Sequence, residues 1–201
     1  MTNDRLLLPN DGLFDALDRK SVMDAWTKFL NGQNAALHQV RDEIADSWQR
    51  SAAYGLPARE HTVPYIGNAD ALANLLKRNE ALISATRNTW ELLAENLLES
   101  ESLVIVTDAA GKMLDIRGNT ELVAAAIHKN VAPGFDWSEG AAGTNAIGTA
   151  LALEHPTIVR TAEHYCENAK IWDCAAAPIR DLTDGEILGV LDIASVGELS
   201  S

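Results

Sequence analysis

The 201-residue chain is long enough for one good-sized domain with a helical extension, and its 47% apolar content can build a core. Aspartate and glutamate outnumber lysine and arginine 29 to 16, a formal net charge of −13; this argues against a surface that displaces counterions from nucleic acid or docks on anionic lipid. There is no apolar run of about 18 residues to span a membrane, and the start, MTNDRLLLPNDG, lacks the long apolar region of a signal peptide, so the expected location is the cytoplasm.

The first half reads as helical. Leu13, Phe14 and Leu17, then Val22, Trp26, Phe29 and Leu30, recur at helical spacing, and Gly32 supplies a stop. In NAALHQVRDEIADSWQRSAAYGL, Leu37, Val40, Ile44, Ser47, Trp48 and Ser51 share one face, while Asp42, Glu43, Asp46, Gln49 and Arg50 lie away from it. Gly55 and Pro57 end that helix, and Pro64 falls in the connector. Asn68 can cap a long helix that runs to about Glu101. Along it, Leu72, Leu76, Asn79, Ile83, Thr86, Trp90, Leu93 and Leu97 repeat at alternating spacings of four and three, a heptad seam widened by Leu75 and Leu82. Asn79 and Thr86 place polar groups on the seam, where such groups can fix register or oligomeric state. Self-association through this helix is the favoured expectation; packing within its own chain is the alternative.

Beyond it, strands and turns alternate. SLVIVTDAAGKMLDIRG reads as a hairpin, with Leu103–Thr107 returning as Met113–Arg117 across the Asp108–Gly111 turn. A dinucleotide-binding reading fails because Gly111 leads into a strand instead of opening a helix. Residues 120–130 are expected to be helical, VAPGFDWSEG a loop, residues 144–153 a helix and residues 157–160 a short strand. Residues 175–181 and 185–195 read as strands joined through Asp184-Gly185, and the last is apolar on both faces, which places it centrally. The expected architecture is α+β: an antiparallel sheet with helices on one side over residues 102–195. A helical region, 1–101, precedes it and includes the 68–101 helix; residues 196–201 begin a linker.

EGAAGTNAIGTALALEHP, residues 139–156, sets glycines beside hydroxyls. The spacing of Gly143 and Gly148 fits a phosphate loop, but Thr149 and Ala150 stand where that loop needs a lysine and a hydroxyl. No lysine lies between Lys129 and Lys170. Packing is the better reading. Thr144 can N-cap the following helix and Gly143 gives it a tight entry. Gly148 inside a helix costs about 1 kcal/mol relative to alanine, which implies close approach of the sheet or of a bound molecule.

The second cluster is HPTIVRTAEHYCENAKIWDC. His155, His164, Cys166 and Cys174 could be metal ligands, but no tight pair of ligand spacing exists, so no metal is expected. Nothing supplies the oriented base and oxyanion hole of a Cys-His nucleophile, and no catalytic residue is assigned. Cys166 and Cys174 are two ordinary thiols or a redox pair. Tyr165 and Trp172 are core aromatics or walls of an apolar pocket with a few polar anchors.

FDWSEGAAGTNAIGTAL, EHYCENAKIWDCAAAPIRD and GEILGVLDIAS resemble the sensory GAF domain of bacterial sigma-54-dependent transcriptional activators, the group typified by the acetoin-catabolism regulator. VRDEIADSWQRSAAYGL resembles the R-x-x-I-x-x-S-W-x-R-S-x-x-x-G-L helix that precedes that domain, so the resemblance spans about residues 40–195. Asp173 and Ala175 stand where the group often has threonine and serine, and DIAS where it often has Asp-Ile-Ser-Gly. The cyclic-nucleotide signature of other GAF domains is not reproduced in order.

The resemblance implies a GAF-like antiparallel sheet with flanking helices that senses a small-molecule effector of the acetoin, ketone, alcohol, aldehyde or phenol class. It implies a homodimer that controls an AAA+ ATPase of the same full-length activator, of which this chain is expected to be the regulatory part. ATP is expected only in that ATPase domain, so no cofactor is expected here, nor direct contact with nucleic acid or membrane. The pocket residues expected are Trp137, Thr144, Asn145, Gly148, His164, Tyr165, Trp172 and Cys174. Asn145 and His164 would be polar anchors and the aromatics walls. Competing readings are a redox or metal sensor built on Cys166 and Cys174, a methionine sulfoxide reductase using the same thiols, and a ligand-free dimerisation module. An enzyme is not expected.

Overall fold

In the computed structural model, residues 16–87 and 102–197 are described. Helix α1, Ala16–Leu30, buries Val22, Ala25, Trp26 and Phe29, the i, i+3, i+4, i+7 stripe of an amphipathic helix. A 3-10 turn at Asn34–Gln39 leads to α2, Asp42–Ala53, which buries Ile44, Ala45, Ser47, Trp48 and Ser51. Asp42 and Glu43 in its first turn and Arg50 in its last complement the helix dipole.

Helix α3, Ala69–Arg78, is N-capped as expected, with Asn68 Oδ1 accepting the Ala71 N–H at 2.9 Å. It does not run on unbroken. Asn79 leaves helical geometry (φ −105°, ψ 16°), and the chain resumes as α4 over 80–87. The reason is local: Asn79 Nδ2 donates to the Leu75 carbonyl at 2.9 Å, competing with the helix ladder. Thr86 likewise donates to the Leu82 and Ile83 carbonyls of its own chain, at 3.0 Å each. Trp90, Leu93 and Leu97 of the expected seam, and residues 198–201 of the expected linker, lie outside the described residues.

The sheet has five strands: β1 Ser102–Asp108, β2 Met113–Gly118, β3 Thr157–Val159, β4 Trp172–Arg180 and β5 Ile187–Val196. Their order is β2-β1-β5-β4-β3, every neighbouring pair antiparallel, with β5 at the centre as its apolar faces predicted. β4 begins earlier than the sequence reading placed it, because Trp172, Asp173 and Cys174 pair with Val196, Ser195 and Ala194.

Helices α5 (Thr120–Ile127), α6 (Glu139–Ala142) and α7 (Ala146–Leu153) lie between the strands in sequence. Leu103, Ile105, Met113, Val159, Trp172, Ala176, Val190 and Ala194 share the main core with α1, α2 and α7. Val106 alternates with Ile105 and faces the other way. There it joins Leu75 and Leu114 in a second cluster, with Leu72, Leu76, Leu82, Ile83, Ile179 and Leu191 packed around them. Helices therefore flank both faces of the sheet, not one, because the apolar stripe of residues 72–83 finds Val106 and Leu114 to cover.

Candidate functional site

The 139–149 motif is built around hydrogen bonds that pin two short helices together. Asn145, not Thr144, is the N-cap of α7: its Oδ1 accepts the Gly148 N–H at 3.0 Å. Its Nδ2 donates to the carbonyls of Trp137 at 3.0 Å and Gly143 at 2.8 Å. The whole Asn145 amide is thus committed to backbone. Gly143 enters the helix at φ +70°, and a Cβ there would lie 2.9 Å from the Tyr165 ring. A Cβ on Gly148 would lie 2.4 Å from the Glu139 nitrogen. Gly148 therefore admits the α6 backbone, and the space expected for a ligand at this position is filled by protein.

Beneath these helices lies a buried polar network that joins them to α2. Arg50 donates from Nε to Glu139 Oε2 at 2.5 Å and from Nη2 to Oε1 at 2.9 Å. This pairing holds the Arg50 guanidinium above its ordinary range. The Ser47 hydroxyl donates to Glu139 and lies 2.7 Å from Thr144 Oγ1, and Thr149 donates to Glu139 Oε1 at 3.2 Å. At the other end of α2, Arg41 grips Glu163 bidentately at 2.8 and 2.7 Å. Trp48 Nε1 donates to the Glu163 carbonyl at 2.6 Å, and Trp26 Nε1 of α1 to the Tyr165 carbonyl at 2.9 Å. Lys170 places its ammonium 4.3 Å from the centre of the Trp26 ring. Arg41, Ile44, Ser47, Trp48, Arg50 and Ser51, the residues of the R-x-x-I-x-x-S-W-x-R-S pattern, all face this junction except for the partly exposed arginine ends.

Between the sheet and α7 lies a cavity of about 20 Å³, room for one ordered water by the usual measure. Strands β1 and β2 contribute Leu103, Ile105 and Met113; β4 contributes Trp172 and Cys174; β5 contributes Asp192 and Ala194. The loop ahead of α6 is hydrogen-bonded along β2, with Met113 N–H donating to Phe135 O at 2.9 Å, and so brings Val131 and Trp137 to the wall. His164 arrives from the 3-10 turn Thr161–Glu163 that follows β3.

Of the residues singled out from sequence, Trp137, Asn145, His164, Trp172 and Cys174 come together around this cavity. Thr144, Gly148 and Tyr165 do not line it. Thr144 belongs to the Ser47 network, Gly148 to the α6 contact, and Tyr165 packs on Gly143 with its hydroxyl donating to Leu56 O at 3.2 Å. The lining residue with the most consequential chemistry, Asp192, was not anticipated. It is 2% exposed, and its Oδ1 has no hydrogen-bond partner among the described residues. The signal was an aspartate in the midst of GVLDIAS, a strand otherwise apolar on both faces.

The electrostatics are those of a buried site. Burial pushes the Asp192 carboxyl up to about 8. Burial, then the Lys170 charge, depress His164 to about 3, so the imidazole is neutral. Its Nδ1 donates to the Thr161 carbonyl at 3.2 Å. Burial raises the Cys174 thiol well above its usual range and Cys166 to about 11. Both are therefore protonated and poor nucleophiles. Among the described residues, no group of three or more His, Cys, Asp and Glu side chains could hold a metal, and no helix is long and apolar enough to cross a membrane.

A five-stranded antiparallel sheet with helices on both faces is a GAF-like fold. The E. coli DhaR(N) structure, solved in complex with DhaL, shares that fold at a TM-score of 0.74 and 20% identity, over 80% of this chain and 54% of that one. The chain belongs to the MimR N-terminal domain family, whose model matches residues 20–198. Similar proteins include the acetoin dehydrogenase operon transcriptional activator AcoR of Bacillus subtilis, 29% identical over 86% of this chain and 28% of that protein. The propane 2-monooxygenase operon transcriptional activator MimR of Mycolicibacterium smegmatis is 32% identical over 77% of this chain and 25% of its own length. An uncharacterised 47.3 kDa protein of Rhodococcus erythropolis is 36% identical over 77% of this chain and 35% of its length. The chain thus spans about a quarter to a third of these relatives. The named relatives are transcriptional activators.

Proposed function

We propose that this chain is the ligand-sensing regulatory region of a sigma-54-dependent transcriptional activator, and that a small organic effector enters the cavity between the sheet and α7. The observation that carries this reading is the convergence of Trp137, His164, Trp172, Cys174 and Asp192 from four separate segments on one mainly apolar cavity. The relatives' names, which refer to acetoin dehydrogenase and propane 2-monooxygenase operons, support a small ketone, hydroxyketone or alcohol as effector class.

With room for about one water in this conformation, a ligand of a few carbons binds by displacing lining side chains. Met113, unbranched and adaptable, is the wall best suited to move. Ligand binding shifts a conformational equilibrium only through contacts that differ between the two states. Here the cavity wall formed by Ala146 and Ile147 belongs to α7, which is tied through Thr149 and Glu139 to Arg50 of α2. Movement of α7 is therefore delivered to the N-terminal helices, and from there to a downstream AAA+ ATPase. For the homodimer, Leu72, Leu76 and Ile83 of the expected seam pack against their own sheet, so this part of the seam is taken up within the chain.

Calorimetric titration with acetoin, propan-2-one, butan-2-ol and phenol tests the sensing role. One class is expected to bind, with Trp172→Ala and His164→Ala each weakening it about tenfold or more, the equivalent of 1.4 kcal/mol. Binding that both substitutions leave unchanged would remove the cavity from consideration.

A further inference from the structure

Asp192 sits in the middle of β5 with Ile105 on one side and Ala176 on the other. Its side chain projects onto the cavity face, where its Oδ1 meets no protein donor or acceptor among the described residues. A buried polar atom without a partner is costly and uncommon in native proteins. Of the other polar side chains on this wall, Asn145 is fully used in capping α7 and the His164 Nδ1 is held by the Thr161 carbonyl. We propose that the Asp192 carboxyl is the polar anchor of the cavity and selects an uncharged oxygenated ligand, a small ketone, hydroxyketone or alcohol, by sharing a hydrogen bond with its oxygen. This rests on the sensing role proposed for the cavity.

The surroundings fit an un-ionised acid. The titratable groups that share the lining are Cys174 from β4 and the neutral His164 from the turn after β3; β1, β2 and α7 add no charged side chain. Lys170 directs its ammonium away, to the Ala162 and His164 carbonyls. Because burial holds the carboxyl near 8, it carries an O–H to donate at neutral pH. An ammonium ligand would need the ionised form and would bring a second charge into an apolar lining.

The test is titration of the chain with acetoin, and with sec-butylammonium as the charged counterpart, from pH 6 to 9.5. The wild type, Asp192→Asn, Asp192→Leu and the cavity-filling Ala194→Leu are compared, each checked by circular dichroism. The expected Kd for acetoin is constant at low pH and rises by up to about tenfold per pH unit above 8, as proton linkage requires. Asp192→Asn, a neutral donor, keeps binding within about threefold and loses the pH dependence, whereas Asp192→Leu weakens binding about tenfold. If acetoin binds and Ala194→Leu blocks it, yet Asp192→Leu retains wild-type affinity, the anchor is elsewhere and this inference fails alone. A flat Kd to pH 9.5, or tighter binding of sec-butylammonium, has the same meaning. Binding that Ala194→Leu leaves intact, or no binding of acetoin, propan-2-one, butan-2-ol or phenol, overturns the cavity reading and this inference with it; phenol binding without acetoin, propan-2-one or butan-2-ol overturns this inference alone.

Discussion

Replacing Asp192 with asparagine should make the protein more stable, and by an amount that grows with pH. The carboxyl titrates at 3.8 when unfolded and at about 8 in the fold, where burial disfavours its charge. Between those values the unfolded state has lost the proton and the folded state keeps it. The unfolded state therefore binds fewer protons, and stability falls by about 1.36 kcal/mol per pH unit as pH rises through this window. The contribution is whole below 3.8 and lost as pH climbs to about 8. At pH 7 about three units of the window have been crossed, a cost of about 4 kcal/mol. Asparagine has nearly the same shape, is also polar and buried, and cannot ionise, so it removes this cost and little else. The difference between variant and wild type cancels other titrating groups, Lys170 among them. Urea unfolding followed by tryptophan fluorescence at pH 5, 6, 7 and 8 should show a difference of about 1–2 kcal/mol at pH 5, widening to about 4 kcal/mol at pH 7. A difference that does not change with pH, or a wild type that gains on the variant as pH rises, would refute the burial argument.

Glu139→Gln breaks the bidentate clasp with Arg50 and leaves the guanidinium poorly compensated. With Arg50 one-third exposed and water screening part of the loss, destabilisation of about 2 kcal/mol is expected in the same urea assay, against 3–5 for a fully buried pair; a loss below about 0.5 would mean the clasp is ornamental. Gly148→Ala should destabilise in spite of the better helix propensity of alanine. The new Cβ meets the Glu139 backbone at 2.4 Å, and overpacking of about 1–3 kcal/mol exceeds a propensity gain of about 1; a more stable variant would show that α6 can move aside. Cys166, a buried thiol held protonated, should react with a disulfide reagent at neutral pH only on unfolding, and the partly buried Cys174, its thiol also pushed up by burial, should react slowly in the native protein. Rapid labelling of the native protein would reopen the redox reading.

Periodicity was enough to locate most elements. The 103–117 hairpin, the central place of the last strand and the helix after Gly143 follow from apolar spacing and turn residues, which depend on neighbours in sequence. The family motifs likewise brought attention to Trp137, Asn145, His164, Trp172 and Cys174. Helix partners were harder. An a/d repeat states that residues 72–83 need an apolar surface but not whose, and Val106 and Leu114 supply it from the same chain. Asn79 was legible as an interruption, though not as a helix break, because that depended on where its amide found an acceptor.

What the sequence by itself determined was the alternation of strands and helices, the acidic surface and the residues from which a cavity could be drawn. Those properties are local or additive. Which side chains are free to meet a ligand was decided only by the tertiary structure. Asn145 has the chemistry of an anchor and spends all of it on the backbone of Trp137, Gly143 and Gly148. Asp192 looks like a surface charge interrupting a strand, and the pleat turns it inward with one oxygen unmatched. Hydrogen-bond satisfaction depends on groups far apart in the chain, so it exists only once the sheet, α7 and the N-terminal helices have closed around the same space.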